Sequence, residues 1–150
     1  MAVRSVQASL IIRGLDPSKT AAAVTAALGI EPTKSHEFGE PHQSPSLAAR
    51  GKTTPSSLWR FDERRTEASE GDFHGMQSLV ALTERFAPHS ATLAELRQHY
   101  DIIVDLWGHS DSTQVGWVIG EETMRLLGTM SATLFQTIYA DLESDGVNEG

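Results

Sequence analysis

The stretch Ile102-Ile103-Val104-Asp105-Leu106-Trp107 constrains this chain more than any other. It is rich in β-branched and aromatic side chains and reads as the strongest strand in the sequence. A second strand opens the chain. Val6, Ala8, Leu10 and Ile12 fall on alternate positions between Gln7, Ser9 and Arg13, the period of a half-buried strand.

Helical signals lie between and after these strands. Asp16-Pro17 is a helix start, with Asp16 as cap and proline where no N–H is needed. The alanine-rich run that follows ends at Leu28-Gly29, with Val24 and Leu28 facing the core. A short strand is expected over Lys34 to Phe38 and another over Ser57 to Phe61, with Leu58 and Arg60 opposite Trp59 and Phe61. From Glu40 to Ser57 (residues 40–57) the chain holds Pro41, Pro45, Pro55, Gly51 and several serines. It reads as a long loop, and loops of that length are mobile or functional. A helix from about Phe73 carries Met76, Leu79, Val80 and Phe86 and stops at Pro88. Thr92-Leu-Ala-Glu95 has the spacing of a capping box and opens the next helix. Beyond the strong strand come a turn at Gly108 to Ser112, a strand over Val115 to Ile119, a helix carrying Met124, Leu127 and Met130, and a last strand from Leu134 to Tyr139. The acidic, Gly-rich end (residues 141–150) is expected to fray.

The element order is therefore β-α-β-β-α-α-β-β-α-β. It predicts one domain over residues 1–150, of α+β class. A single mixed or antiparallel sheet carries helices mainly on one face, on a plan related to the ferredoxin-like fold.

Composition excludes several function classes. There is no cysteine among 150 residues, which removes disulfide scaffolds, thiol catalysis and thiolate metal sites together. Apolar runs are only a few residues long, too short for a membrane span. Met1-Ala-Val-Arg-Ser lacks the apolar core of a secretory signal, so a cytoplasmic chain is expected. Twenty Asp+Glu against twelve Lys+Arg, net -8, argue against nucleic acid as a partner.

Leu28-Gly29-Ile30-Glu31-Pro32-Thr33, Gly39 downstream and Leu58-Trp59 form an ordered set of landmarks. A Leu/Phe-rich helix ending in Pro88, a helix ending Leu127-Gly128 and a strand ending Ile138-Tyr139 complete it. In that order they resemble the bacterial domain-of-unknown-function family 4279, from about Ser5 to Tyr139. The resemblance implies a small standalone bacterial domain with no established activity, and it supports the α+β fold. Members often carry an aspartate shortly before the final tyrosine, where this chain has Gln136-Thr137.

Several constellations invite chemistry. Arg50-Gly51-Lys52-Thr53 looks like the end of a phosphate-binding P-loop, but Ser46 stands where that motif needs its first glycine. The strand before and the helix after are also missing, so the segment reads as a basic loop. His36, Glu37, Glu40 and His42 are residue types that hold zinc. A strand at 34–38 would send His36 and Glu37 to opposite faces, and His36, Glu40 and His42 are weak metal candidates in a solvated segment. No cofactor is implied. His109-Ser110-Asp111 contains the three triad residue types, but consecutive residues do not stack in line, and they are better explained as turn formers. Trp59, Trp107 and Trp117 are core residues in strands unless one sheet face stays uncovered. In that case Trp107 and Trp117 pair at the mouth of a turn and mark a contact surface.

Charge is unevenly spread. Residues 1–60 hold 7 Lys+Arg and 4 Asp+Glu, and residues 61–150 hold 5 and 16. The chain reads as a non-enzymatic protein-interaction domain that meets a partner through its sheet face or long loop, a basic toxin neutralised by an immunity-type protein being one concrete version. The alternative is a small-molecule or peptide-binding domain, or a modest enzyme, with a pocket near Thr33, His36, Trp59 and Tyr139.

Overall fold

Two alternating sequences form the centre of the sheet. A computed structural model describes residues 3–64, 66–67, 76–111 and 117–140. In it, β1 (Val3–Gly14) pairs antiparallel with β5 (Tyr100–Ser110) along almost its whole length, Leu10 opposite Val104 and Ile12 opposite Ile102. The other edge of β1 pairs antiparallel with β3 (Leu58–Asp62), which in turn pairs with the short β2 (Lys34–His36). β4 (Thr66–Glu67) adds a brief pairing near the start of β1. β6 (Thr133–Ala140) joins β5 in parallel. The sheet is mixed, in the order β2-β3-β1-β5-β6.

The helices α1 (Ala21–Leu28), α3 (Gln77–Phe86) and α4 (Ser90–Leu96) cover one face. Their Val24, Leu28, Leu79, Leu82, Phe86 and Leu93 meet Val6, Ala8, Leu10 and Ile12 of β1 and Ile102, Val104 and Leu106 of β5. α5 (Glu121–Thr129) crosses between β5 and β6, and Met130 just beyond it is fully buried in the same core. Burying each large side chain of this kind contributes about 1.5–3 kcal/mol. Polar groups that enter the core are matched. Trp59 donates from Nε1 to the Thr25 hydroxyl at 3.1 Å, and Tyr100 donates to the Thr20 carbonyl at 2.9 Å. Glu63 is held by the Arg85 guanidinium at 2.8 Å, and that group also lies 5.0 Å over the Phe61 ring.

The α+β class and the one-sided helix layer are as expected, and five details differ. Asp16 does not cap α1. It accepts from the Ser18 N–H at 2.8 Å in a turn, and Thr20 caps the helix by accepting from Ala23. The 40–57 segment is not a bare loop: it contains α2 (Pro45–Ala49), its arms are bridged at Pro41 and Thr53, and Thr54 bonds to Glu37 and Glu40. α3 ends at Phe86 as expected, stopped by Pro88. That proline sits early in a 3-10 turn, where a missing N–H costs no hydrogen bond, but α4 starts at Ser90 ahead of the Thr92 box. β5 runs through Ser110, so His109 and Ser110 belong to a strand rather than a turn. Finally, Val115 and Gly116 lie outside the described residues, and Trp117 to Ile119 is irregular instead of a strand. Trp117 and Ile119 still pack on the core, so their alternation reports burial without a ladder. The edge of β5 they were expected to join is taken by β6.

Candidate functional site

The second sheet face has no helix over it among the described residues. Because residues paired in register share a face, its rows can be read directly. His36, Leu58, Arg13 and Asp101 form the first, and Lys34, Arg60, Ile11, Ile103 and Thr133 the second. Asp62, Ser9, Asp105 and Phe135 follow, then Gln7, Trp107 and Thr137, and last His109 and Tyr139. Ser9 and Ile11 lie shielded at the floor of this face, whereas Phe135 and Tyr139 are more than half exposed.

Three shallow concavities follow one another across these rows. One of about 310 Å³ is walled by the folded 40–57 segment and lined by Arg13, His36, His42 and Leu58. The next, about 340 Å³, shares Arg13 and adds Ile11, Ile103, Asp105, Phe135 and Thr137. The third, about 270 Å³, shares Asp105 and Thr137 and is completed by Arg60, Trp107 and Tyr139. Together they make a groove from the loop to the β6 edge.

Asp105 stands at the junction. Burial pushes its carboxyl above the ordinary aspartate range, and nearby Asp62 adds to this while Arg60 and Arg13 oppose it. Arg60 is already engaged, donating to Asp62 at 2.6 Å and to the Ser9 hydroxyl at 3.3 Å. Among the described residues Asp105 makes no ion pair and no side-chain hydrogen bond. Beside it the rings of Trp107, His109 and Tyr139 form a cluster. Trp107 meets Tyr139 edge-on at 6.5 Å, and His109 stacks on Tyr139 at 5.6 Å.

The strand order also sorts charge. Strands drawn from the slightly basic first part lie together as β2-β3-β1 and present Lys34, Arg60 and Arg13, with Asp62 tied to Arg60. β5, from the acidic part, presents Asp101 and Asp105. Asp101 is paired with Arg97, so Asp105 is the carboxylate that faces Arg60 and Arg13 across the groove.

The candidates from the sequence scatter over this frame. Trp107 and Tyr139 lie together on the open face. Trp117 is on the other side of the sheet, its ring against Gly108, so the expected Trp107–Trp117 pair does not form. The reason is alternation: position 108 faces the core and 107 faces away. Trp59 is sealed in the core, with no exposed surface. Thr33 ties β2 to β3, its N–H donating to the Arg60 carbonyl and its hydroxyl accepting from the Asp62 N–H. The strand order separates His36 on β2 from Tyr139 on β6, so Thr33, His36, Trp59 and Tyr139 do not line one pocket. His36 borders the groove beside His42, and its buried Nδ1 has no hydrogen-bond partner. Glu37 is occupied, accepting from the Ala21 N–H at the start of α1. No group of three or more His, Asp or Glu is placed to hold a metal among the described residues, and His36, Glu40 and His42 do not converge. Gly51, at φ +72°, follows the end of α2, and Lys52 bonds back to Leu47, so this glycine turns the chain instead of cradling a phosphate. Among the described residues no helix is long and apolar enough to cross a membrane.

Asp105, Arg60, Arg13 and Phe135 were not among the sequence candidates. A signal for Asp105 was present, as the one charge inside the apolar run Ile102 to Trp107. For the others, only the register brings them beside it.

A match to the family described as a domain of unknown function, DUF4279, covers residues 4–141, in agreement with the landmarks from Leu28 to Tyr139. No curated protein and no solved structure matches the chain.

Proposed function

The chain belongs to the DUF4279 family, and from this premise we propose that it is a non-enzymatic interaction module whose uncovered sheet face holds a segment of a partner protein carrying a cationic side chain. The observation that carries this reading is Asp105. It is a partly buried carboxylate with no ion-pair partner among the described residues, at the junction of two concavities and beside Trp107 and Tyr139. A lysine or arginine entering there gains a charge-assisted bond to the carboxylate and cation–π contact with the rings. It also relieves the cost of keeping Asp105 charged while partly buried. The acidity of the chain steers such a partner toward it, and the aromatic rings fix where it docks. A basic toxin neutralised by direct contact is one partner with this chemistry.

The test is calorimetric titration with two synthetic peptides of equal length, one rich in lysine and arginine and one rich in glutamate, at low and high salt. Only the basic peptide is expected to bind, more weakly at high salt. Asp105→Asn and Tyr139→Ala should each reduce affinity by about tenfold or more. Equal binding of the basic peptide by Asp105→Asn would refute the assignment.

A further inference from the structure

We propose that β6 is a dimerisation edge, pairing antiparallel with β6 of a second copy about a two-fold axis through Thr137. The inference concerns the outer edge of β6, whose Phe135, Thr137 and Tyr139 also line the cation-binding groove, and its experiment reads oligomeric state without any ligand.

The sheet ends at β6, and among the described residues nothing pairs with its outer edge. Natural edge strands are kept from pairing by shortness, charge, proline or a bulge. The opposite edge follows that rule: β2 has three residues, begins with Lys34 and follows Pro32 closely. β6 does not. Thr133-Leu-Phe-Gln-Thr-Ile-Tyr-Ala140 spans 8 residues without a charge, a proline or a glycine. It also presents Phe135 at 58% and Tyr139 at 55% exposure.

Two features select a second copy as the occupant. First, copies of a chain with net charge -8 repel one another, and an uncharged strip is where they can meet without setting like charges face to face. Second, the strand complements itself. With Thr137 opposite Thr137, Phe135 falls opposite Tyr139 of the second copy and the reverse, while Gln136 faces Ile138. Aromatic–aromatic and Thr–Thr pairs are favourable cross-strand combinations, and the interface is isologous, as two-fold symmetry requires. An axis perpendicular to the sheet keeps both helix layers on one side, so the two grooves open onto one continuous face.

Sedimentation velocity across a wide range of protein concentration should show reversible monomer–dimer exchange. Thr137→Lys sets two ammonium groups face to face at the axis and should weaken association by about tenfold or more, with the far-UV spectrum unchanged as the check on folding. The cysteine-free sequence allows a sharper test. Under oxidised glutathione, Thr137→Cys should form a disulfide-linked dimer in high yield, because cross-strand neighbours lie within disulfide reach. Gln43→Cys, exposed on the 40–57 segment, should not. A parent protein that stays monomeric, a Thr137→Lys dimer as tight as the parent, or equal cross-linking from positions 43 and 137 would overturn the proposal.

Discussion

Alternate residues of β1 and β5 build two surfaces of opposite character from the same strands. On the helix side, Val6, Ala8, Leu10 and Ile12 face Ile102, Val104 and Leu106, and all are buried. On the other side the same strands present Gln7 and Arg13 beside Asp101, Asp105, Trp107 and His109, over a floor of Ser9 and Ile11. The first surface has one task, to exclude water, and volume and shape decide its energetics. The second carries charges and rings beside a shallow groove, including a carboxylate whose ionised form is disfavoured where it sits. Residues that add little to stability, or oppose it, and still occupy a groove are the ones from which a binding role is best argued.

Tryptophan separates the two faces most forcefully. Trp59 is fully buried and packs against Phe61 and Phe86, so Trp59→Ala should cost about 3–5 kcal/mol in urea unfolding. Trp107→Ala, on the open face, should cost about 1 kcal/mol or less while weakening capture of the basic peptide. Similar losses of stability from both would mean that the open face is also core.

A smaller effect is expected one residue further along β5. A Cβ at Gly108 meets the Ser5 carbonyl oxygen at 2.7 Å, with Val6 and Trp117 just behind. Gly108→Ala should therefore destabilise by about 1–3 kcal/mol. Calorimetric melting checks this, and an unchanged melting temperature would show that the Ser5 carbonyl does not lie against position 108 as described.

The smallest effect has the opposite sign. The folded-state pKa of Asp105 is raised by burial, so its charge opposes folding at neutral pH. That cost disappears as pH falls through the raised value, because the carboxyl takes up its proton in the folded state first. Asp105→Asn should raise the melting temperature slightly at neutral pH, with the gain shrinking toward acid. The same substitution should impair peptide binding. A variant destabilised at neutral pH would remove the argument that this carboxylate is kept for a partner.

How much of this was legible beforehand depended on range. Gly29 ends α1 at φ +67°, with its N–H bonded to the Thr25 carbonyl, as Leu28-Gly29 implies. The period from Val6 to Arg13 in β1 assigned these side chains to their faces, because successive side chains of a regular strand point to opposite sides whatever the rest of the chain does. Pro88 marked the end of α3 as its chemistry requires, and proline is tolerated in the turn that links α3 to α4. Trp117 and Ile119 misled: their spacing marks burial, and burial is shared by strands and by irregular segments that lie on a core. Met124 falls on the expected helix but faces solvent, while Leu126 and Met130 take the buried positions.

The amino-acid sequence by itself determined the α+β class, the two characters of β1 and β5, the helix end at Gly29 and the family. Only the tertiary structure decided that β6 enters beside β5 in parallel, that the basic and acidic strands lie in separate halves of the sheet, and that Asp105 shares a hollow with Arg60, Trp107 and Tyr139. The division has a physical cause. Which way a side chain points follows from the geometry of its own few residues. Which strand becomes its neighbour is settled by packing across the whole core, between segments far apart in the chain.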